Sequence, residues 1–213
     1  SPSAPPGLPT ALDLTAIRRE TARRQALRDP VGWIRDRLGE FLWSRQREII
    51  ESVRDHRRTA VHSCHLAGKS MLAARVVAWW LENHPVGEAF VVTSAPTGEQ
   101  VRAILWREIN RAHVKGKLSG RTNQTEWWLP TGDGGEEIVA YGRKPDEFNP
   151  GAFQGIHARY VLVIFDEACS TPDSLWAAGD TLIGNEHSRF LAIGNPDDPQ
   201  NQFAKNCAPG SGW

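Results

Sequence analysis

Residues 63–70 combine small and cationic side chains in an order suited to binding phosphate. The segment reads S-C-H-L-A-G-K-S and matches the pattern G-x-x-x-x-G-K-[S/T], except that Ser63 replaces the first glycine. In such a loop successive backbone N–H groups point into one concavity at the positive end of a helix. The pattern therefore predicts that Lys69 neutralises phosphate charge and that the Ser70 hydroxyl binds the Mg²⁺ of bound ATP. The predicted phosphate-binding residues are Cys64, His65, Leu66, Ala67, Gly68, Lys69 and Ser70. A helix N-cap with an accidental Gly-Lys-Ser is the alternative for this motif taken alone.

Two adjacent carboxylates, Asp166 and Glu167, follow the apolar run Y-V-L-V-I-F of residues 160–165. Such a run is typical of a central parallel strand covered on both faces. Ligands of open α/β sheets bind at the carboxyl ends of the strands, where the phosphate loop also lies. We therefore expect Asp166 to hold Mg²⁺, directly or through a water, and Glu167 to activate the water that attacks the γ-phosphate. The alternative, two surface acids in a turn, leaves the preceding six apolar residues unexplained.

Two further polar residues are candidates of lower specificity. Asn195 follows the apolar run of residues 189–193 and could contact the γ-phosphate or the attacking water, although an ordinary Asn-Pro turn fits equally well. Gln46 could read the edge of the adenine base while an aromatic side chain stacks nearby. Taken alone, Gln46 is better interpreted as a surface glutamine on a helix.

The elements that must position these groups alternate between strands and helices. Strands are predicted at residues 59–63, 89–94, 160–165 and 189–193, and helices from the phosphate loop through residue 81 and at residues 97–112 and 172–182. The turn sequence T-G-D-G-G predicts a hairpin over residues 127–141. This alternation predicts an α/β fold with a mostly parallel sheet flanked by helices.

The region before the first strand is expected to be helical. Residues 1–10 are Pro-rich and are predicted to form a disordered tail, and helices are predicted at residues 10–29, 31–39 and 42–55. The side chains expected to face inward from the last two helices are Trp33, Ile34, Leu38, Trp43, Ile49 and Ile50. The predicted division is thus a tail (1–10), N-terminal helices (11–58) and a nucleotide-binding core (59–213).

Length and composition limit the possible functions. The chain has 213 residues, 40% of them hydrophobic, which suits one ordinary α/β domain. Its formal net charge of zero gives no overall footprint for nucleic acid, and no apolar segment approaches the ~20 residues of a membrane span. Three cysteines without C-x-x-C spacing argue against a disulfide framework or a zinc site.

Positive charge is nevertheless concentrated near the N-terminus. The first 60 residues contain twelve arginines and eight acidic residues. The densest run consists of Arg18, Arg19, Arg23, Arg24 and Arg28. A solvated helix face is the preferred interpretation of this run, and an arm that binds DNA or a partner is the alternative.

In this order, the motifs resemble the ATPase domain of the large terminase subunit of tailed bacteriophages. The resemblance spans most of the chain from residue 31 onward and rests on the phosphate loop and five other segments. These are W-S-R-Q (43–46), S-A-P-T-x-x-Q (94–100), Q-G-I-H-A (154–158), V-L-V-I-F-D-E-A (161–168) and A-I-G-N-P (192–196).

The resemblance implies a P-loop fold of the RecA-like, ASCE type with a small hairpin insertion. It implies a motor that couples Mg-ATP hydrolysis to the translocation of double-stranded DNA into a procapsid in the host cytoplasm. Gln46 would recognise adenine, and Gly194 and Asn195 would belong to the motif that couples hydrolysis to DNA movement. The implied partners are double-stranded DNA, the portal protein and the small terminase subunit, with a homo-oligomeric ring during packaging and a monomer in isolation.

The sequence departs from the family pattern at several points. His65 stands where many relatives carry an arginine, so a weaker or pH-dependent phosphate contact is expected there. Such rings complete each site with an arginine from the neighbouring subunit. Gln154 stands near its expected place, so Arg143 and Arg159 are the nearest candidates, and each also fits a strand-flanking surface residue. The nuclease domain of full-length terminases is expected to be absent, and hydrolysis to be weak without ring neighbours.

Two other functions remain open at this point. A superfamily 2 helicase or translocase core shares the glutamine motif, the phosphate loop and the Asp-Glu pair, but it needs a second RecA-like domain. A nucleotide-dependent assembly switch without turnover would need no catalytic acid, so Glu167 argues against it.

Overall fold

The computed structural model describes residues 11–64, 67–144, 158–195 and 197–213. The predicted tail, the phosphate-loop residues His65 and Leu66, and Gln154 lie outside these ranges.

Three helices precede the first strand, as predicted: α1 (Ala11–Arg28), α2 (Pro30–Leu38) and α3 (Ser44–Asp55). The sequence sets the bounds of α2 locally. The Asp29 side chain accepts a hydrogen bond from Gly32 N at 2.8 Å, and Pro30 occupies the first turn, where its missing N–H costs nothing. The helix ends at Gly39, which adopts the left-handed conformation at φ 62°.

Strands and helices then alternate. The helices are α4 (Lys69–Asn83), a π-helical segment (Gln100–Trp106) continuing into α5 (Arg107–Gly116), a short 3-10 turn (Ala168–Ser170), α6 (Asp173–Leu182) and α7 (Gln202–Asn206). The strands are β1 (Arg58–His62), β2 (Ala89–Ser94), β3 (Arg121–Thr122), β4 (Glu126–Pro130), β5 (Glu136–Arg143), β6 (Tyr160–Asp166) and β7 (Arg189–Gly194). The strands β1, β2, β6 and β7 confirm the predicted α/β pattern, whereas β3, α7 and the π-helical geometry were not predicted.

The seven strands form one sheet in the order β1-β7-β6-β2-β5-β4-β3. The first four pairings in this order are parallel, and the last two, β5 with β4 and β4 with β3, are antiparallel. The predicted hairpin is therefore not separate from the sheet, because β5 also pairs in parallel with β2. The strand β7 lies between β1 and β6, which brings the ends of all three together.

The core lies on both faces of the sheet. On one face Leu162 and Ile164 of β6 pack in a cluster with residues of α4 and α5, and on the other face Val163 and Phe165 pack beneath α6. Strand β6 is thus buried on both sides, which explains its unbroken apolar sequence. Within the described residues, no helix is long and apolar enough to cross a membrane.

The helices before β1 differ in one respect from the prediction. Ile34, Leu38 and Ile50 are buried as expected, and Trp33 and Ile49 are partly buried. Trp43 is 51% exposed, so its predicted inward position is wrong. It precedes the first turn of α3, where its side chain lines a cavity instead of the core.

Candidate nucleotide-binding site

The phosphate loop joins β1 to α4 at the carboxyl edge of the sheet. Its start is fixed by a hydrogen bond from Ser63 N to the carbonyl oxygen of Gly194, at 2.9 Å. Its end is set by Gly68, which has φ 76° and immediately precedes the first residue of α4, Lys69. A side chain at this φ would strain the backbone, and a Cβ there would lie 2.9 Å from Gln46 Nε2. Glycine is therefore required where the loop turns into the helix.

Lys69 brings three parts of the site together. It is 7% exposed, and its Nζ donates hydrogen bonds to Asn195 Oδ1 at 2.7 Å and to the carbonyl oxygen of Cys64 at 3.3 Å. The same Nζ lies 3.3 Å from Glu167 Oε1. The first residue of α4 thus contacts the turn after β7 and the acid after β6.

Ser70 and Asp166 form the second link between the phosphate loop and β6. Ser70 Oγ donates a hydrogen bond to Asp166 Oδ2 at 2.5 Å. Asp166 is 2% exposed, and this burial, partly opposed by the hydrogen bond from Ser70, raises the pKa of its carboxyl to about 6. The neighbouring charge of Glu167 also raises this pKa. A positive charge beside the carboxyl would lower the pKa again and favour the ionised form.

Glu167 adopts an uncommon backbone conformation. Its φ of 51° and ψ of 48° place a residue with a long side chain in the left-handed region. The next turn approaches Gly194 so closely that a Cβ there would lie 2.9 Å from Ala168 N and 3.4 Å from the carbonyl carbon of Glu167. The left-handed turn and the missing side chain of Gly194 together place the ends of β6 and β7 in contact. Strain of this kind is often found at functional sites.

A cavity of about 510 Å³ adjoins the phosphate loop between α3 and β1. Gln46, which is 4% exposed, and the half-exposed Trp43 line it together with Gly68 and Lys69. The burial of Gln46 against the phosphate loop is inconsistent with a surface glutamine. Apolar side chains complete the cavity, among them Ile49, Val61, Leu72 and Ile193. The sequence analysis did not assign these residues to the site. The spacing could have suggested Ile49, which lies about one helical turn after Gln46.

The two candidate arginines lie away from this group. Arg143 ends β5, two strands from β6 in the sheet, where it lies 3.5 Å from Glu126 and 5.0 Å from the ring centre of Tyr141. Arg159 precedes β6, so the length of a seven-residue strand, about 20 Å, separates it from the edge at which Asp166 lies. Its guanidinium lies 5.4 Å from the ring centre of Tyr160.

The S-A-P-T-x-x-Q segment has a local structural role. Thr97 Oγ1 accepts a hydrogen bond from Gln100 N, and Gln100 Oε1 accepts one from Thr97 N, each at 3.1 Å. This reciprocal pair is a capping box that starts the helical region after β2. The T-x-x-Q spacing itself predicts such a cap.

Comparison with solved structures identifies the same fold in phage proteins. The chain resembles the ATPase domain of the large terminase of Thermus phage P74-26, with 18% identity, a TM-score of 0.56 and coverage of 80% of this chain and 71% of that one. It also resembles the large terminase of another thermophilic bacteriophage, with 16% identity and a TM-score of 0.61, covering 75% of this chain and 40% of that one. A structure of that second terminase in complex with ATP-gamma-S matches with 15% identity and a TM-score of 0.51, covering 73% of this chain and 38% of that one.

Comparisons of the sequence with family models and curated proteins found no related protein. No protein-family model matches the chain. No curated protein matches it significantly. The chain spans about 40% of the length of the second large terminase. The order of its strands, its flanking helices and these structural matches establish that the chain has the fold of the ATPase domain of phage large terminases.

Proposed function

We propose that this domain hydrolyses Mg-ATP and is the motor domain of a viral DNA-packaging terminase. The observation that carries the proposal is the convergence on Lys69 Nζ of Asn195 and Glu167, at 2.7 and 3.3 Å, beside the Ser70–Asp166 pair. A cation, a hydroxyl, two carboxylates and an amide at the end of a glycine-turned loop match the chemistry of phosphoryl transfer.

Each residue has a role that follows from its position. Lys69, at the start of α4, would bind the phosphates together with the backbone N–H groups of residues 67–70. Ser70 and Asp166 supply the oxygen ligands that Mg²⁺ prefers, and a nucleotide site normally adds phosphate oxygens and waters to one or two such ligands. Bound there, Mg²⁺ would neutralise charge on the phosphates and favour the ionised form of the buried Asp166.

Glu167 is the proposed general base for the attacking water. Its side chain is 28% exposed, so water can reach it, while Asp166 beside it is nearly fully buried. The proposed role of Asn195, whose Oδ1 accepts a hydrogen bond from Lys69, is to respond to the γ-phosphate. Gln46 and Trp43 line the cavity beyond the loop, where they would bind the adenine edge and face.

The assignment to DNA packaging rests on the fold and the order of the motifs. The matched structures are large terminases, one of them in complex with ATP-gamma-S. We propose the same setting for this chain: a ring of subunits on a portal protein, with a small terminase subunit and double-stranded DNA, in the host cytoplasm. In such a ring Arg143 or Arg159 would complete the site of a neighbouring subunit, because Arg143 ends a strand two places from β6 and Arg159 lies at the opposite end of β6 from Asp166.

The test is Mg²⁺-dependent ATP hydrolysis measured over a range of protein concentrations. Lys69→Ala should weaken ATP binding, whereas Glu167→Gln should keep binding and lower turnover by ~10²–10⁴-fold, as expected for loss of a general base. The matched controls are Lys205→Ala and Glu186→Gln, which change exposed residues.

The dependence on concentration separates the possible outcomes. Turnover that rises steeply with concentration would support a site completed by a neighbour, since such an arginine contributes ~10³–10⁵ in rate. ATP binding without hydrolysis at every concentration would contradict the motor and favour a nucleotide-dependent switch.

A further inference from the structure

A second and larger cavity lies away from the phosphate loop. Its volume is about 980 Å³, and it opens on the outer side of the π-helical segment and α5. Five cationic and two anionic side chains line it, so its walls carry a surplus of three positive charges although the whole chain is neutral.

The negative charges lie at the floor of this cavity and are compensated there. Arg75 is 5% exposed and binds Glu40 through two hydrogen bonds of 2.8 Å, and it also lies 3.1 Å from Glu108. The hydrogen bonds from Arg75, opposed by burial, lower the pKa of Glu40, so this carboxylate is ionised and its charge is matched. The floor thus holds one guanidinium and two carboxylates, and the rim residues Arg111 and Lys115 supply the remaining compensation.

The positive charges lie at the rim and face solvent. We define the cationic face as Arg102, Arg107, Arg111 and Lys115, all of them exposed. The last three occur at every fourth position of α5, so they form one stripe with a rise of about 6 Å between neighbours. Arg111 and Lys115 each share their charge with a floor carboxylate, whereas no ion pair joins Arg102 or Arg107 to another described residue.

The arginine-rich helix α1 is the other basic surface that the sequence indicates, and ion pairs within the helix neutralise part of its charge. Arg23 and Arg24 are both paired with Glu20 on the same helix. Arg18, Arg19 and Arg28 remain exposed, and they line neither of the two cavities already described nor a third one between α1 and α2. The cationic face differs from α1 in that its charges line a concave surface.

We propose that the cationic face binds the phosphate backbone of double-stranded DNA, a partner that rests on the proposed function. A duplex carries one phosphate per ~3.4 Å of each strand, so a stripe about 12 Å long faces three or four phosphates of one strand. Contacts of the four rim cations with phosphate oxygens carry no sequence information. Such binding suits a protein that moves along DNA of any sequence.

The experiment measures binding of a labelled duplex of about two helical turns by fluorescence anisotropy, without ATP, as a function of salt concentration. The double variant Arg102→Gln/Arg107→Gln removes two rim charges without breaking an ion pair among the described residues. Each lost phosphate contact should lower the slope of log K against log salt by ~0.9, so affinity at about 0.1 M salt should fall roughly 10- to 100-fold. The matched control, Arg18→Gln/Arg19→Gln, removes the same charge from α1 and should leave affinity within about twofold, because no cavity wall is changed.

Three outcomes would overturn the proposal: no duplex binding by the unmodified chain at low salt, equal losses in the two double variants, or no loss in Arg102→Gln/Arg107→Gln. The last result would be expected if the face binds a protein instead. The duplex assay contains no ATP, so its result does not depend on whether the chain hydrolyses ATP. Lys69→Ala should weaken ATP binding and still bind the duplex like the unmodified chain.

Discussion

Replacing Gly194 with alanine tests how the acid pair is positioned. The added Cβ would lie 2.9 Å from Ala168 N and 3.3 Å from Cys169 N, about 0.5 Å inside the ordinary contact distance at the closer atom. Both atoms belong to the backbone, so no side-chain rotation can relieve the contact. Gly194 itself does not have a positive φ, which means that its own conformation suits alanine and the effect comes from the neighbour.

The displaced segment carries Glu167. Overpacking of this kind costs roughly 1–3 kcal/mol in the free energy of unfolding. A catalytic group displaced by about 1 Å can lose ~10²-fold in rate, so we expect turnover of Gly194→Ala to fall between about 10- and 100-fold. ATP binding should change less, because the three atoms nearest to the added Cβ belong to residues 167–169 and not to the phosphate loop.

The assay compares the rate of ATP hydrolysis at saturating Mg-ATP, ATP affinity and the free energy of unfolding. Gly132→Ala is the matched control, since a Cβ at that turn position meets no atom within 4 Å. If Gly194→Ala keeps the rate and stability of the Gly132→Ala control, the close approach of the two turns does not position the acid.

Two further predictions concern buried charge. Arg75→Met should destabilise the fold by up to ~3 kcal/mol in chemical denaturation, because it leaves the partly buried Glu40 and Glu108 with only the exposed cations Lys115 and Arg111. His84 is 8% exposed, and burial lowers the pKa of its imidazole from 6.5 to about 4. The unfolded chain therefore takes up a proton first as pH falls, and stability present above pH 6.5 should decline by about 3 kcal/mol between pH 6.5 and 4.

Each of these predictions has its own control. Arg121→Met removes an exposed ion pair with Glu136 and should cost no more than about 1 kcal/mol; if Arg75→Met lost no more unfolding free energy than Arg121→Met, the ion pairs of Arg75 with Glu40 and Glu108 would not stabilise the fold. His84→Phe keeps a ring beside Trp80 and Tyr160 and should flatten the stability profile between pH 4 and 6.5, whereas His56→Phe, at an exposed position, should not. A profile unchanged by His84→Phe would assign the acid sensitivity to other groups.

Much of the fold could be predicted because the local signals agree with the tertiary structure. The unbroken apolar sequence of β6 reflects burial on both faces, and the pattern from Gly68 to Ser70 reflects a turn that needs a positive φ. The hairpin was predicted from its turn sequence, but its place in the main sheet depends on pairing between β5 and β2, residues far apart in the chain.

The geometry of the site depended on long-range contacts. Nothing local to Glu167 predicts its left-handed conformation, which accompanies the close packing of the next turn against Gly194. The burial of Gln46 could not be deduced from α3 alone, since it depends on where the phosphate loop passes. The predicted inward position of Trp43 was wrong for the same reason. Its hydrophobicity suggested the core, whereas in the fold it is half-exposed and lines a cavity.

The position of β7 between β1 and β6 has a consequence for how this site can vary. The carbonyl oxygen of Gly194 accepts the hydrogen bond from Ser63, and the same glycine contacts the turn of Ala168. One residue therefore contacts both the start of the phosphate loop and the turn that follows Glu167. A shift that accommodates one neighbour disturbs the other, so a substitution here cannot be compensated by a change on a single side. We therefore expect variation in the two motifs to be coupled through the end of β7.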